Sequence, residues 1–191
     1  MFAPVFLRSA ARPSDFLPDE GREVAVVGRS NSGKSSALNC VTGMRKLARV
    51  SKTPGRTQLI NFFEVAPGRR FVDLPGYGFA RVPADVQRKW QMLVEAYFEE
   101  RRSLVGLMIT VDIRRGLMEL DQTMLAWAGR LEIPTLLLLT KADKLSRSAA
   151  LAQQRLVDAG CAAGIECVLF SALTLQGTEE ARRQLEVWLE I

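Results

Sequence analysis

The chain has 191 residues, of which 48% are hydrophobic and 25% charged; it contains no histidine and carries a formal net charge of +5. This length corresponds to one domain, and the composition is that of an ordinary globular protein. The absence of histidine excludes a Ser–His triad, a histidine general base and a histidine-ligated metal. The positive charge permits an anionic partner such as nucleic acid but does not require one.

The cysteines and the apolar runs indicate the cellular compartment of the protein. Cys40, Cys161 and Cys167 form no Cys-x-x-Cys pair, so neither a zinc site nor a disulfide framework is predicted. No signal peptide is visible, and the longest apolar runs are too short to span a bilayer. We therefore expect a cytoplasmic protein without a membrane partner.

Short apolar runs alternate with helical patterns along most of the chain. Residues 1–22 contain three prolines and little periodicity, which predicts an irregular N-terminal arm, and residues 23–191 are predicted to form a single domain. The alternation favours an α/β, three-layer fold with a mostly parallel six-stranded sheet and helices on both faces. The six predicted strands are Val24–Val27, Leu59–Val65, Arg70–Asp73, Leu104–Asp112, Thr135–Thr140 and Glu166–Phe170.

The first predicted strand is followed by the sequence GRSNSGKS, which fits the phosphate-binding pattern G-x-x-x-x-G-K-[ST]. Its backbone N–H groups and the start of the next helix are expected to face phosphate oxygens. Lys34 would place its charge on the β- and γ-phosphates, and the Ser35 hydroxyl would ligate Mg²⁺. The predicted residues of this loop are Gly28, Arg29, Ser30, Asn31, Ser32, Gly33, Lys34 and Ser35.

A second candidate loop ends another predicted strand and has the pattern D-x-x-G. Asp73 could hold Mg²⁺ through a water molecule, and the Gly76 N–H could sense the γ-phosphate; Leu74 and Pro75 lie between them. The pattern is weak by itself, but it lies at the end of an apolar strand, where ligands of such sheets bind.

The sequence Thr140-Lys141-Ala142-Asp143 resembles the [N/T]-K-x-D loop with which GTPases recognise the base. The Asp143 carboxylate can accept hydrogen bonds from guanine N1–H and N2–H₂, a donor pair that adenine lacks. The Lys141 stem would cover the base. A helix-capping role is the alternative for Asp143. After the last predicted strand, Ser171 and Ala172 could offer a backbone N–H to guanine O6; Phe170, which ends that strand, is also assigned to nucleotide binding.

A polar segment between the first two motifs contains a candidate switch. Thr57 is placed to join Mg²⁺ through its hydroxyl only when a γ-phosphate is present, which would couple phosphate state to loop order. A polar turn is the alternative interpretation. The residues assigned to nucleotide binding here are Gly55, Arg56, Thr57, Gln58 and Leu59.

Taken together, the motifs resemble the EngB (YihA/YsxC) family of bacterial GTP-binding proteins, which are translation-factor-related P-loop GTPases. The segments that carry the resemblance are GRSNSGKSSALN, SKTPGRTQLINFF, DLPGYGFARV, VDIRRGL and TKADKL. The resemblance implies GTP hydrolysis, action in assembly of the large ribosomal subunit through its rRNA and proteins, and a link to cell division and septation. The resemblance covers residues 23–191 and implies that they form one GTP-binding domain. We also expect a monomer away from the ribosome.

Three positions bear on the chemistry of hydrolysis. Tyr77 stands where related enzymes place a water-positioning Gln, so intrinsic hydrolysis is expected to be slow. Lys34 is expected to stabilise transition-state charge, and no residue is assigned as a general base. Asn31 could hold K⁺ beside the phosphates, although a turn-forming role explains it as well.

A basic stretch surrounds the candidate switch and could face rRNA, although a solvated basic loop is an equal alternative. Its residues are Arg45, Lys46, Arg49, Lys52 and Arg56, and Arg114 and Arg115 could extend it. Two other functions stay open from sequence: a small-molecule kinase with the same phosphate loop, and an RNA-binding module insensitive to nucleotide.

Overall fold

The computed structural model describes residues 4–44, 47, 59–78, 84–162 and 164–191. Within these ranges, seven strands and five α-helices alternate as the sequence predicts. In chain order the elements are β1 Val5–Ala10, β2 Arg22–Gly28, α1 Lys34–Thr42, β3 Ile60–Ala66, β4 Arg69–Asp73, α2 Ala84–Glu100, β5 Leu104–Asp112, α3 Glu119–Arg130, β6 Thr135–Thr140, α4 Arg147–Gly160, β7 Glu166–Leu169 and α5 Thr178–Leu189.

The seven strands form one sheet in the order β1-β3-β4-β2-β5-β6-β7. Strand β2 pairs in parallel with β4 and β5, and the parallel arrangement continues through β6 to β7. Strand β3 is antiparallel to both β1 and β4. The mostly parallel sheet is therefore confirmed, and the carboxyl ends of β2, β4, β5, β6 and β7 lie along one edge.

Helices cover both faces of the sheet, which confirms the three layers. Side chains of the central strands alternate between two buried clusters: Ala25 and Val27 belong to one, Val24 and Val26 to the other. Helices α2, α3 and α4 pack into the first cluster, and α1 and α5 into the second. Strands buried on both faces are apolar at nearly every position, which explains their near-continuous apolar runs.

The predicted number of six strands is wrong by one, because the arm contains a strand. Residues Val5–Ala10 pair antiparallel with β3, Phe6 opposite Phe63 and Ala10 opposite Ile60. Much of β1 is exposed, so its sequence lacks the apolar run of a central strand, and its conformation depends on pairing with a distant segment. The expectation of an irregular arm is corrected accordingly; the boundary at residue 22 stays a prediction.

The six predicted strands are all present, with ends shifted by two residues or fewer. Trp188 is buried, and Trp90 and Trp127 pack against the core. All three cysteines are half-buried free thiols. No helix among the described residues combines the length and apolar character needed to cross a bilayer.

Candidate nucleotide site

The phosphate loop connects β2 to α1 at the carboxyl edge of the sheet. Gly28 is the last residue of β2, and Gly33 caps α1 with φ of 93°, a left-handed conformation that glycine adopts without steric cost. A Cβ at Gly28 would lie 2.8 Å from the carbonyl oxygen of Thr110 in the neighbouring strand. Glycine at both positions therefore lets the loop turn tightly against the sheet.

Two buried threonines of the sheet form hydrogen bonds with the phosphate loop. The Thr110 and Ser32 hydroxyl oxygens are 2.7 Å apart and hydrogen-bonded. Thr140 donates its hydroxyl to the carbonyl oxygens of Ser32 and Val111, the latter at 3.1 Å. Since Thr110 lies in β5 and Thr140 ends β6, both strands fix the position of the loop.

The predicted D-x-x-G loop lies directly against the phosphate loop. Asp73 ends β4 and forms an ion pair with Lys34, and both side chains are largely buried. Ser30 N–H donates to the Tyr77 carbonyl oxygen at 2.8 Å, and Tyr77 N–H donates to the Gly28 carbonyl oxygen at 3.3 Å. The two loops thus form a short parallel bridge that brings the predicted lysine and carboxylate together.

Tyr77 points into the protein rather than toward the phosphate loop's open side. Its side chain is buried, and its hydroxyl donates to Asp121 at 2.6 Å. Burial, reinforced by the neighbouring Asp121 carboxylate, raises the Tyr77 pKa. Burial also raises the pKa of Asp121, which accepts a second hydrogen bond from the Met118 N–H at 2.9 Å. The Tyr77 ring therefore connects the D-x-x-G loop to α3.

The predicted base loop follows β6. The Ala142 N–H donates to the Phe170 carbonyl oxygen at 3.0 Å, which joins this loop to the one after β7. Ser171 donates its hydroxyl to Asp143 Oδ1 at 2.7 Å and accepts the N–H groups of Leu173 and Thr174. The hydrogen bond from Ser171, together with Lys144, lowers the pKa of Asp143. The helix cap of α4 is Ser146, so that alternative role for Asp143 is not observed.

Lys141 extends from the base loop to the phosphate loop. Its backbone is left-handed, with φ of 60°, and its ammonium donates to the Asn31 carbonyl oxygen at 2.6 Å. Asn31 is exposed and also left-handed, with φ of 65°, a conformation that asparagine tolerates in turns. The geometry therefore favours the turn interpretation of Asn31.

One charged residue of this edge was missed by the sequence reasoning. Asp112 ends β5, is largely buried, and accepts hydrogen bonds from Lys141 at 2.8 Å and from Arg114 at 2.6 and 2.9 Å. These hydrogen bonds, that from Arg114 foremost, hold its pKa well below the ordinary value. The sequence did contain a signal for Asp112: like Asp73, it is a carboxylate at the end of an apolar strand.

The structure brings four of the predicted segments to one edge: residues 28–35, 73–76, 140–143 and 170–172. Ser35 is exposed on the first turn of α1, and Leu59 directly precedes β3. The other predicted switch residues, Gly55, Arg56, Thr57 and Gln58, lie outside the described residues. So do Arg45, Lys46, Arg49 and Lys52 of the basic stretch.

Solved structures share this fold. A crystal structure of a probable GTP-binding protein engB superposes with a TM-score of 0.70 at 21% identity, covering 88% of this chain and 98% of that one. Era in complex with MgGDPNP and nucleotides of 16S ribosomal RNA gives a TM-score of 0.64 at 20% identity, covering 88% of this chain and 57% of that one. At these identities the likeness shows the fold alone.

Sequence comparisons reach further. Residues 23–141 match a family described as 50S ribosome-binding GTPase. The probable GTP-binding protein EngB of Enterobacter sp. (strain 638) is 52% identical over 186 residues, covering 96% of this chain and 89% of that protein. EngB of Escherichia coli O139:H28 is 50% identical with the same coverage. Because both the motifs and nearly the whole length agree, the chain belongs to the EngB family of GTP-binding GTPases.

Proposed function

We propose that this chain is a guanine-nucleotide switch that hydrolyses GTP slowly and acts in assembly of the large ribosomal subunit. The observation that carries the proposal is the convergence of the phosphate, D-x-x-G and base loops at one edge of the sheet, in a chain of a family described as 50S ribosome-binding GTPases. In such sheets ligands bind beyond the carboxyl ends of the strands.

Guanine selectivity would rest on Asp143. Ser171 holds one carboxylate oxygen by a hydrogen bond, and the lowered pKa keeps the group ionised at neutral pH. An ionised carboxylate can accept both guanine donors and would be left unpaired by adenine. Competition of GDP and ADP for labelled GTP tests this, with GDP displacing far better; equal displacement would favour a kinase instead.

The Lys34–Asp73 pair offers a way to accommodate nucleotide and metal. When phosphates bind, the Lys34 ammonium can move to their oxygens, and Asp73 is then free to hold Mg²⁺ through water. The exposed Ser35 hydroxyl fits a direct ligand, and Thr57 is the proposed second one. Mg²⁺ would neutralise developing phosphate charge. Chelation should therefore weaken GDP binding without unfolding the nucleotide-free protein.

The hydrogen bond made by the Tyr77 hydroxyl supports the proposal of slow hydrolysis. It is engaged by Asp121 in the interior, so it is not placed to position an attacking water. We expect Tyr77→Phe to leave single-turnover GTP hydrolysis within about twofold of the unmodified chain. Rapid turnover by the isolated protein that Tyr77→Phe abolishes would contradict the proposal. Comparing turnover in KCl and NaCl tests the potassium alternative at Asn31.

The ribosomal role is tested by co-sedimentation with large-subunit precursors in the presence of a non-hydrolysable GTP analogue, GDP, or no nucleotide. Stronger association with the analogue supports a switch, and association that weakens steeply with salt supports phosphate contacts by the basic stretch. Equal association in all three states would indicate a nucleotide-insensitive RNA-binding module. A cytoplasmic location and the link to division are proposed on the same family basis.

A further inference from the structure

The carboxylate of Asp112 lies between two cations at the edge where the base loop begins. Asp112 ends β5 opposite Thr140 of β6, so Lys141 follows directly beside it. The side chain of Asp112 is 7% exposed, that of Lys141 30% and that of Arg114 48%. The acidic group is therefore fixed in the protein, while its two basic partners extend toward the surface.

Lys141 has two carboxylates of the same edge within its neighbourhood. Asp143, two residues further along, accepts a hydrogen bond from Ser171 and forms an ion pair with Lys144 at 3.3 Å. The Lys141 ammonium is nevertheless bound by Asp112 Oδ2 and by the Asn31 carbonyl oxygen. These two contacts stretch the side chain from the base loop across to the phosphate loop.

We propose that Asp112 is a positioning residue for guanine recognition: it holds the Lys141 ammonium away from Asp143, so that the Lys141 stem forms a fixed wall for the base and Asp143 carries no second ammonium besides that of Lys144. This inference rests on the roles proposed above for Lys141 and Asp143. Asp112 itself touches no part of the base; it acts through Lys141.

Charge, rather than shape, carries the effect. An asparagine at position 112 has the size of aspartate but attracts an ammonium far less, because charge-assisted hydrogen bonds are about twice as strong as neutral ones. The released Lys141 would then be attracted to Asp143, the carboxylate needed for guanine. A ligand that must displace this ion pair binds more weakly.

The central measurement is GDP affinity of Asp112→Asn by calorimetry, with an expected loss of about tenfold. Inosine diphosphate, which keeps N1–H but lacks the 2-amino group, should lose less, so the preference for GDP over inosine diphosphate falls. Asp85→Asn makes the same chemical change at an exposed position of α2 and should alter neither affinity. Wild-type affinity or an unchanged preference in Asp112→Asn would overturn the proposal.

Lys141→Met separates a positioning role from a structural one, because it keeps the stem and removes the ammonium. The double variant Asp112→Asn/Lys141→Met should bind GDP at least as tightly as Asp112→Asn alone, since the ammonium whose release is the proposed cause of the loss is no longer present. Losses that add in the double variant would overturn the proposal. Arg114→Ala leaves the Lys141 pair intact and should cost less than about threefold; a loss equal to that of Asp112→Asn would place the effect in Arg114 instead.

Thermal unfolding of each nucleotide-free variant controls for folding. If Asp112→Asn does not fold, Asp112→Ser serves as the second variant with the same expected loss of preference. The unmodified chain and Asp143→Asn keep the two proposals distinguishable. No preference for GDP over ADP in the unmodified chain defeats the proposed function, whereas a preference that Asp143→Asn reduces and Asp112→Asn does not defeats only the role of Asp112.

Discussion

The two ends of the sheet both contain buried charge, but they differ in how completely it is satisfied. At the amino end of β2, Glu23 is fully buried and accepts hydrogen bonds from Tyr97 at 2.9 Å, from Arg101 at 2.5 and 3.2 Å, and from Arg70 at 3.0 Å. Arg101 also donates to the Leu17 carbonyl oxygen at 2.6 Å, which ties down the arm. We call Glu23, Arg70, Tyr97 and Arg101 the closed cluster.

At the carboxyl end the two cations paired with Asp112 reach the surface: Lys141 is 30% and Arg114 48% exposed, against 4% for Arg101 and 12% for Arg70 in the closed cluster. Lys34, at 13%, is about as buried as Arg70, but its pair with Asp73 lies at the edge where nucleotide is proposed to bind. Removing a partner from a fully buried and fully paired charge costs much free energy of unfolding. Partly exposed ion pairs can exchange their partners for a ligand. The buried charges at the amino end of β2 therefore stabilise the fold, whereas the ion pairs at the carboxyl edge of the sheet are able to exchange partners with a ligand.

The largest expected effect is at the closed cluster. Glu23→Gln removes the charge that two guanidinium groups and a phenol face, so we expect a loss of about 3–5 kcal/mol in the free energy of unfolding. Urea denaturation of the nucleotide-free chain measures it. Glu20→Gln, the same change at an exposed position nearby, should cost less than about 0.5 kcal/mol. A folded Glu23→Gln variant whose main defect is in GDP affinity would break the comparison.

Thr140→Val tests the carboxyl end of the sheet, and it replaces the threonine by a side chain of nearly the same size. It leaves the buried Ser32 carbonyl oxygen without its hydroxyl donor, so we expect a loss of about 1–3 kcal/mol in unfolding free energy together with weaker GDP binding. Thr135→Val is the matched control: it begins the same strand and donates to Ile133. That control should lose stability but keep its GDP affinity; equal losses of affinity would contradict the assignment of Thr140.

Tyr77→Phe tests how the free energy of unfolding depends on pH through the buried Asp121. Ionised Asp121 is costly in the folded state because burial raises its pKa from 3.8, so its stabilising contribution is present below that value and is lost as pH rises through the raised pKa. The Tyr77 hydroxyl offsets part of this cost. We expect the variant to lose about 1.5–3 kcal/mol in mildly alkaline buffer and less in acid. Urea denaturation across pH measures this, and a loss independent of pH would refute it.

The smallest effect is expected on the exposed face of α5. Glu179 is 65% exposed and pairs with Arg182, which also donates to the Val41 carbonyl oxygen at 3.1 Å. Because exposed pairs contribute little, Glu179→Gln should change the free energy of unfolding by less than about 0.5 kcal/mol. A loss comparable to that of Tyr77→Phe would show that exposure is a poor guide to the strength of these pairs.

Sequence reasoning worked best where a local pattern and a strand end coincide. The apolar runs of β2, β5 and β6 predicted buried central strands, and the loops that follow β2, β4 and β6 carry motifs whose residues meet at one edge. It failed at β1, whose exposed residues carry no strong period of their own. It also missed Asp112, because a single carboxylate has no motif and acquires its meaning from Lys141, 29 residues away.

By itself the sequence determined the α/β class, the parallel core and the family, because these depend on apolar periodicity and on motifs read along the chain. Only the tertiary structure decided which charges are paired with which. It placed Tyr77 on Asp121 rather than toward the phosphate loop, Lys141 on Asp112 rather than Asp143, and Glu23 among two arginines. The physical reason is that the strength of an ion pair depends on distance and burial, and both are set by contacts between segments far apart in the chain.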